Sequence, residues 1–160
     1  MSNLGLQLII EEEGPQKPHA YRDSRGLWTI ARGCLVDGSV VCEGLCQAAM
    51  DAQDAHDLAR AKAFAAYLPG FQRCSEVRQA VLESMCFQLG ALQDWPHFRA
   101  ALAMGDYNAA ADNMIYDDVS SKTPSNWVEQ TPIRCKRAAW MMRNNVWLAH
   151  GEPLPGSLET

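Results

Sequence analysis

Apolar and polar positions along this chain follow three rhythms. Residues 3–12 place Leu4, Leu8 and Glu11 on successive turns of a short helix. From Gly14 to Gly38 the helical period stops. Pro15, Pro18, Gly26, Gly33 and Gly38 punctuate short runs such as Leu27-Trp28-Thr29-Ile30, rich in aromatic and β-branched residues. This pattern predicts a small antiparallel sheet, with a turn at Asp23-Ser24-Arg25-Gly26. From Cys42 to Tyr67 the helical period returns. Leu45, Ala49, Ala52, His56, Ala59 and Ala63 keep three-to-four spacing, with no Pro or Gly after Gly44. One long helix ending before Pro69-Gly70, able to bridge two lobes, is the expectation.

The remainder reads as a string of helices. Over residues 75–89, Val77, Val81, Met85 and Leu89 stand four apart, and Gly90 stops the run. Asp94 is expected to cap a helix that carries Phe98 and Leu102 and ends at Gly105. Asp106 is expected to cap another running to Tyr116, and residues 117–126 read as a loop. Thr131-Pro132 opens a last helix carrying Arg134, Arg137, Ala138 and Met141. The fold class expected is α+β, mostly α. One domain spans about residues 1–150: a sheet lobe near 13–58, and a helical lobe near 59–150 that includes the first helix, 3–12. Residues 151–160, with Pro153, Pro155 and Gly156, read as a loose tail.

Composition narrows the functions. The 160 residues are 48% hydrophobic and 21% charged, values ordinary for a globular chain. The net charge of -5 argues against nucleic-acid binding, which leaves a basic footprint. The apolar run at 6–10 is short, is interrupted by Gln7 and leads into Glu11, Glu12 and Glu13 with no basic residue before it. It fits neither a secretory signal nor a membrane anchor. Six cysteines (Cys34, Cys42, Cys46, Cys74, Cys86 and Cys135) match no zinc spacing, and no metal or cofactor is expected. Buried free thiols are the favoured reading; a disulfide from Cys42 is the alternative. His19, His56, His97 and His150 show no ligand spacing.

Chemistry concentrates where the first helix meets the sheet. Glu13 ends an apolar helix face, which favours its protonated form, whereas Asp23 in a turn is wetter and stays ionised. One protonated and one ionised carboxyl are what glycoside hydrolysis requires. Taken alone, two carboxyls ten residues apart are better explained as solvated surface charge.

Three blocks add weight. Glu13-Gly14 followed by Tyr21-Arg22-Asp23-Ser24-Arg25-Gly26-Leu27-Trp28-Thr29-Ile30 resembles the catalytic signature of the phage-type lysozymes, glycoside hydrolase family 24. Met85-Cys86-Phe87-Gln88-Leu89-Gly90 is similar to that family's central helix. Trp127-Val128-Glu129-Gln130-Thr131-Pro132-Ile133-Arg134-Cys135-Lys136-Arg137 is similar to its Trp-x-x-Gln-Thr-Pro-x-Arg-x-x-Arg segment. The resemblance implies a lysozyme-like two-lobed fold and an inverting muramidase. Such an enzyme cleaves the β-1,4 bond between N-acetylmuramic acid and N-acetylglucosamine in bacterial peptidoglycan.

The roles it implies are specific. Glu13 is the general acid, Asp23 activates the attacking water and Thr29 holds that water. Arg134 pairs with Glu13, favouring the carboxylate; Arg137 ties the first helix to the helical lobe through Glu12. A cation near the start of a helix is disfavoured by the dipole, which independently suggests an acidic partner for Arg134. Leu35, Phe87, Gln88 and Asn113 fall where the family contacts the sugar chain, although a helical aromatic such as Phe87 or Trp127 is as well explained by packing. The expected partner is peptidoglycan, met by a monomer with no stable membrane insertion. The setting implied is a host cytoplasm before release through a holin-type pore, or a phage virion. An anionic wall sits awkwardly with the net charge, and Arg134, Lys136, Arg137 and Arg143 offer a local basic cluster.

The chain also departs from the family. One extra residue separates Glu13 from Asp23, and Ala31-Arg32-Gly33-Cys34 replaces a Gly-x-Gly-His run. Ala31 is unfavourable if that position needs a positive φ. Ala101 stands where the family has a sugar-contacting Ser. Two other readings therefore stand beside hydrolysis. One is a lytic transglycosylase, which needs the acid but not Asp23; the other is a catalytically silent peptidoglycan-binding or virion domain.

Overall fold

Ten residues, Leu4–Glu13, form helix α1, and its buried face of Gly5, Leu8 and Ile9 lies against the helical body. The computed structural model describes residues 4–22, 25–31, 34–35 and 47–155. At the end of α1, Gly14 adopts φ +73°, a region open to glycine at no steric cost, and its N–H closes the helix on Ile10 O at 3.1 Å. The chain then enters β1 (Lys17–Arg22), which pairs antiparallel with β2 (Trp28–Ala31); β2 pairs in turn with β3 (Cys34–Leu35). Arg22 lies opposite Trp28 and Tyr21 opposite Thr29, so residues 23–27 connect the two strands where a turn was expected.

Helix α2 (Gln47–Ala66) is 20 residues long, hence about 30 Å. Its first half meets the segment leading into the sheet, where Gln16 Nε2 donates to Asp54 Oδ2 at 2.6 Å. Its second half buries Ala61 and Ala65 in the main core. The expected span from Cys42 is observed from Gln47 onward; residues 42–46 lie outside the described residues.

The helical body is built from α3 (Glu76–Leu89), α4 (Pro96–Met104), α5 (Tyr107–Ile115), α6 (Asn126–Gln130) and α7 (Pro132–Asn144). Ser75 caps α3 by accepting from Arg78 N, and Asp106 caps α5 by accepting from Ala109 N at 2.9 Å. Leu82 and Met85 of α3 share a core with Leu8, Phe98, Met114 and Trp127, all essentially inaccessible. Four buried methionines, Met85, Met114, Met141 and Met142, fill irregular space between the helices. The fold is α+β and mostly helical, with a small antiparallel sheet, as the periodicity implied.

Three local expectations are corrected. Asp94 does not cap α4; Trp95 occupies that position without a side-chain bond, and Pro96 at the first turn supplies the helical φ instead. Residues 117–126 are not a plain loop. Tyr116–Asp118 (β4) pairs with Thr123–Pro124 (β5), and Ser125 then starts α6. Local side-chain bonds explain the hairpin: Asp118 Oδ1 accepts from the backbone N–H and hydroxyl of Ser120 and from Ser121 N, which holds its carboxyl down at about 2. The tail is not wholly loose, since Leu154 packs partly buried against the core.

Candidate active site

Glu13 sits where α1 ends, and the first turns of α7 supply its partner. Arg134 Nη1 donates to Glu13 Oε1 at 2.5 Å, and Arg134 Nη2 donates to Ser84 Oγ on α3 at 3.2 Å. Arg134 Nε is buried without a hydrogen bond among the described residues, 4.0 Å from Glu12 Oε2. The Arg134 side chain is 10% exposed and the Glu13 side chain 23%. The carboxylate therefore has a buried cation behind it and one side open to solvent. This is the acidic partner that the position of Arg134 near a helix N-terminus required.

Arg137, one turn further on, anchors the same helix. Its Nη1 donates to Glu12 Oε1 and its Nη2 to Glu11 Oε2 at 2.8 Å. Its Nε and Nη2 also donate to Leu148 O, at 2.8 and 2.5 Å. Burial pushes the Glu11 carboxyl up, but hydrogen bonds from Gln7 and Arg137 outweigh it and hold that group below its ordinary value. Two arginines of α7 thus engage three successive glutamates of α1 and fix where the helix stops.

The sheet contributes less that can be described. Thr29 is buried in β2 and donates through Oγ1 to Leu27 O at 3.2 Å. Asp23 lies outside the described residues. Leu35 is opposite Thr29 in β3, but its side chain lies outside them too. Ala31, buried at the end of β2, has φ +55°. Ala31 therefore occupies a left-handed backbone position, a strained place for a residue with a side chain.

The remaining expected contacts divide. Phe87 is half-buried and packs against the core, so packing accounts for it. Gln88 stands one turn beyond Ser84 on α3 and accepts from Trp127 Nε1 at 2.8 Å. Asn113 Nδ2 donates to Ala109 O, and Asn113 lines a cleft of about 400 Å³ whose walls include Trp95, Tyr116, Asp117, Trp127 and Gln130. Trp95 and Trp127 meet edge to face at 6.4 Å. Glu13 is not among the walls of that cleft. The path from one to the other runs Glu13, Arg134, Ser84, then one turn of α3 to Gln88 and Trp127. Trp127 is buried with its indole N–H taken up by Gln88, so it supports the cleft from below, and Trp95, Asn113 and Gln130 are among the wall residues accessible to a ligand such as a sugar chain.

Ser84 and Glu11 are partners that sequence reasoning passed over. Ser84 had a signal, since it precedes Gln88 by four residues and so shares its helix face. Glu11 had only its place on the turn before Glu13. The described cysteines are inert packing. Cys74, Cys86 and Cys135 are free and buried; burial, with Glu83 nearby, pushes the Cys86 thiol up to about 12, and burial pushes Cys135 up to about 12. The side chains of Cys34, Cys42 and Cys46 lie outside the described residues. No protein-family model matches the chain, and no curated protein matches it.

Proposed function

We propose that this chain is a muramidase that hydrolyses the glycan strands of bacterial peptidoglycan, with Glu13 as general acid. The observation that carries the proposal is the Glu13 carboxyl, partly exposed and held by buried Arg134 where the first helix ends before the sheet. Arg134 holds the Glu13 carboxyl in place from the buried side. A sugar chain bound against the exposed part of that carboxyl brings its glycosidic oxygen within reach, and Glu13 protonates that oxygen as the bond to the leaving sugar breaks.

Asp23, in the connection between β1 and β2, takes the role of base toward a water on the opposite face of the sugar. Thr29 assists: its hydroxyl hydrogen is engaged by Leu27 O, which leaves its oxygen lone pairs to accept from that water. Attack from the opposite face inverts the anomeric carbon. The enzyme works as a monomer on the wall, reaching it through a holin-type pore or as part of a phage virion.

The test is mass spectrometry of soluble fragments released from purified Gram-negative peptidoglycan. Wild-type protein is expected to release fragments with reducing muramic-acid ends. Asp23→Ala and Glu13→Gln are expected to release none while keeping the parent's circular dichroism. Anhydro-muramic ends would replace hydrolysis by transglycosylation. No release by wild type would leave a silent wall-binding domain.

A further inference from the structure

Charge is divided unevenly between the sheet and the rest of the molecule. Residues 14–35 contain four basic side chains (Lys17, Arg22, Arg25 and Arg32) against one acidic, Asp23, whereas the remaining chain holds 10 basic and 18 acidic. Within the described part, the ribbon formed by β1 and β2 displays this charge on aromatic rings. Lys17 Nζ lies 3.9 Å from the Tyr21 ring centre, and the Arg22 guanidinium lies 4.5 Å from that of Trp28. Arg22 and Trp28 are opposite one another in the pairing and so share a face. Trp28 remains 44% exposed and Leu27 42%. Strand β1 is the sheet edge, and Lys17, Pro18, His19 and Arg22 along it are all exposed.

We propose that this ribbon is a landing surface for a carboxylate-bearing polysaccharide strand, separate from the residues that carry out the chemistry. The identification of that strand with peptidoglycan rests on the muramidase reading above. Lys17 and Arg22 are five residues apart, about 16 Å along a strand, which spans several sugar units. Each cation lies over an aromatic ring of the ribbon. A ribbon of sugar rings bearing carboxylates can meet both the charge and the ring surface in that arrangement. Cations reaching out on extended stems would suit a fluid membrane better.

The acidic remainder repels the same polymer, so the molecule approaches it sheet first. Three residues, Gly14, Pro15 and Gln16, separate Glu13 from Lys17, so the near end of β1 starts within about 14 Å of the end of α1. This division of charge removes the conflict between a net charge of -5 and an anionic wall.

Polygalacturonate, a carboxylated polysaccharide that is not a muramidase substrate, is the probe. Binding by the wild-type protein is followed through tryptophan fluorescence at about 20 and about 300 mM NaCl, with expected weakening of about tenfold at the higher salt. Lys17→Glu/Arg22→Glu, with melting checked by circular dichroism, is expected to lose about tenfold or more at low salt. The milder Lys17→Gln is expected to fall between, and neutral chitohexaose to show no salt dependence. The proposal is overturned if wild type does not bind polygalacturonate, or if the charge-reversed protein binds it as well as the parent. Capture of phosphatidylglycerol vesicles without polygalacturonate binding overturns it in favour of a membrane surface. None of these readouts involves bond cleavage. Failure of the muramidase reading appears separately, as absent fragments from peptidoglycan.

Discussion

A carboxyl buried away from the candidate site illustrates how single residues set conditions on this fold. Glu83 on α3 is 8% exposed, and its Oε2 has no hydrogen-bond partner among the described residues. Burial pushes its carboxyl up, against a smaller downward pull from Lys62. An acid whose folded pKa exceeds its unfolded one binds protons more tightly when folded. Its contribution is therefore favourable below the unfolded pKa and is lost as pH rises through the folded value. Glu83→Gln removes that dependence. The melting temperature of the variant relative to the parent should rise between pH 4 and pH 7. A difference that is constant across that range would show that folding does not shift the Glu83 carboxyl. Nothing in the pattern of the chain announced this residue. Glu83 follows the apolar pair Val81-Leu82 on a helix whose every face from Ala80 to Cys86 is buried, and burial on all sides arises only from neighbouring elements.

Between elements, the same carboxyl explains why α1 carries a glycine in a helix. A Cβ placed on Gly5 would lie 1.7 Å from Glu83 Oε2 and 2.9 Å from Glu83 Cδ. The space a side chain would need there is taken by the carboxyl end of the buried Glu83 side chain, which must shift to admit one. Gly5→Ala raises helix propensity by about 1 kcal/mol, yet the steric cost of overpacking, typically about 1–3 kcal/mol, is expected to win. The variant should melt several degrees lower, and Gly5→Ala/Glu83→Ala should recover most of the loss. If the single and double variants melt alike, the clash is not the reason for the glycine. The elements themselves were largely legible. Apolar spacing locates α1, α2 and α3, the Thr131-Pro132 start locates α7, and Ser125 shows why residues 117–126 read as a loop. Its Oγ caps α6 at Val128 N and donates to Met114 O at 2.7 Å, a bond to a residue eleven positions away that no local pattern exposes. Asp94 was misread for a related reason: two turn-forming signals, Asp94 and Pro96, stood side by side, and proline set the boundary.

Across the whole molecule, Arg137 is the tie on which several parts converge. It joins Glu11 and Glu12 of α1 to α7 and to the carbonyl of Leu148 beyond it, with its own side chain 5% exposed. Removing one partner of a buried ionic cluster leaves the others uncompensated, at a cost of about 3–5 kcal/mol. Arg137→Ala should lower the urea midpoint accordingly. In native-state hydrogen exchange, the amides of α1 should lose protection before those of α3. Uniform loss of protection would mean that α1 is not a separately released element. By itself the sequence determined the element types, because periodicity and capping residues act over a few positions. It also placed Glu13 at the end of a helix and, through the resemblance, Arg134 and Arg137 beside the α1 glutamates. Tertiary structure alone decided that Ser84 completes the Arg134 contact, that Ala31 holds a left-handed conformation, and that Glu83 is shut away against Gly5. Those outcomes depend on which surfaces meet across the fold, and burial, charge pairing and close approach exist only once residues far apart in the chain are brought together.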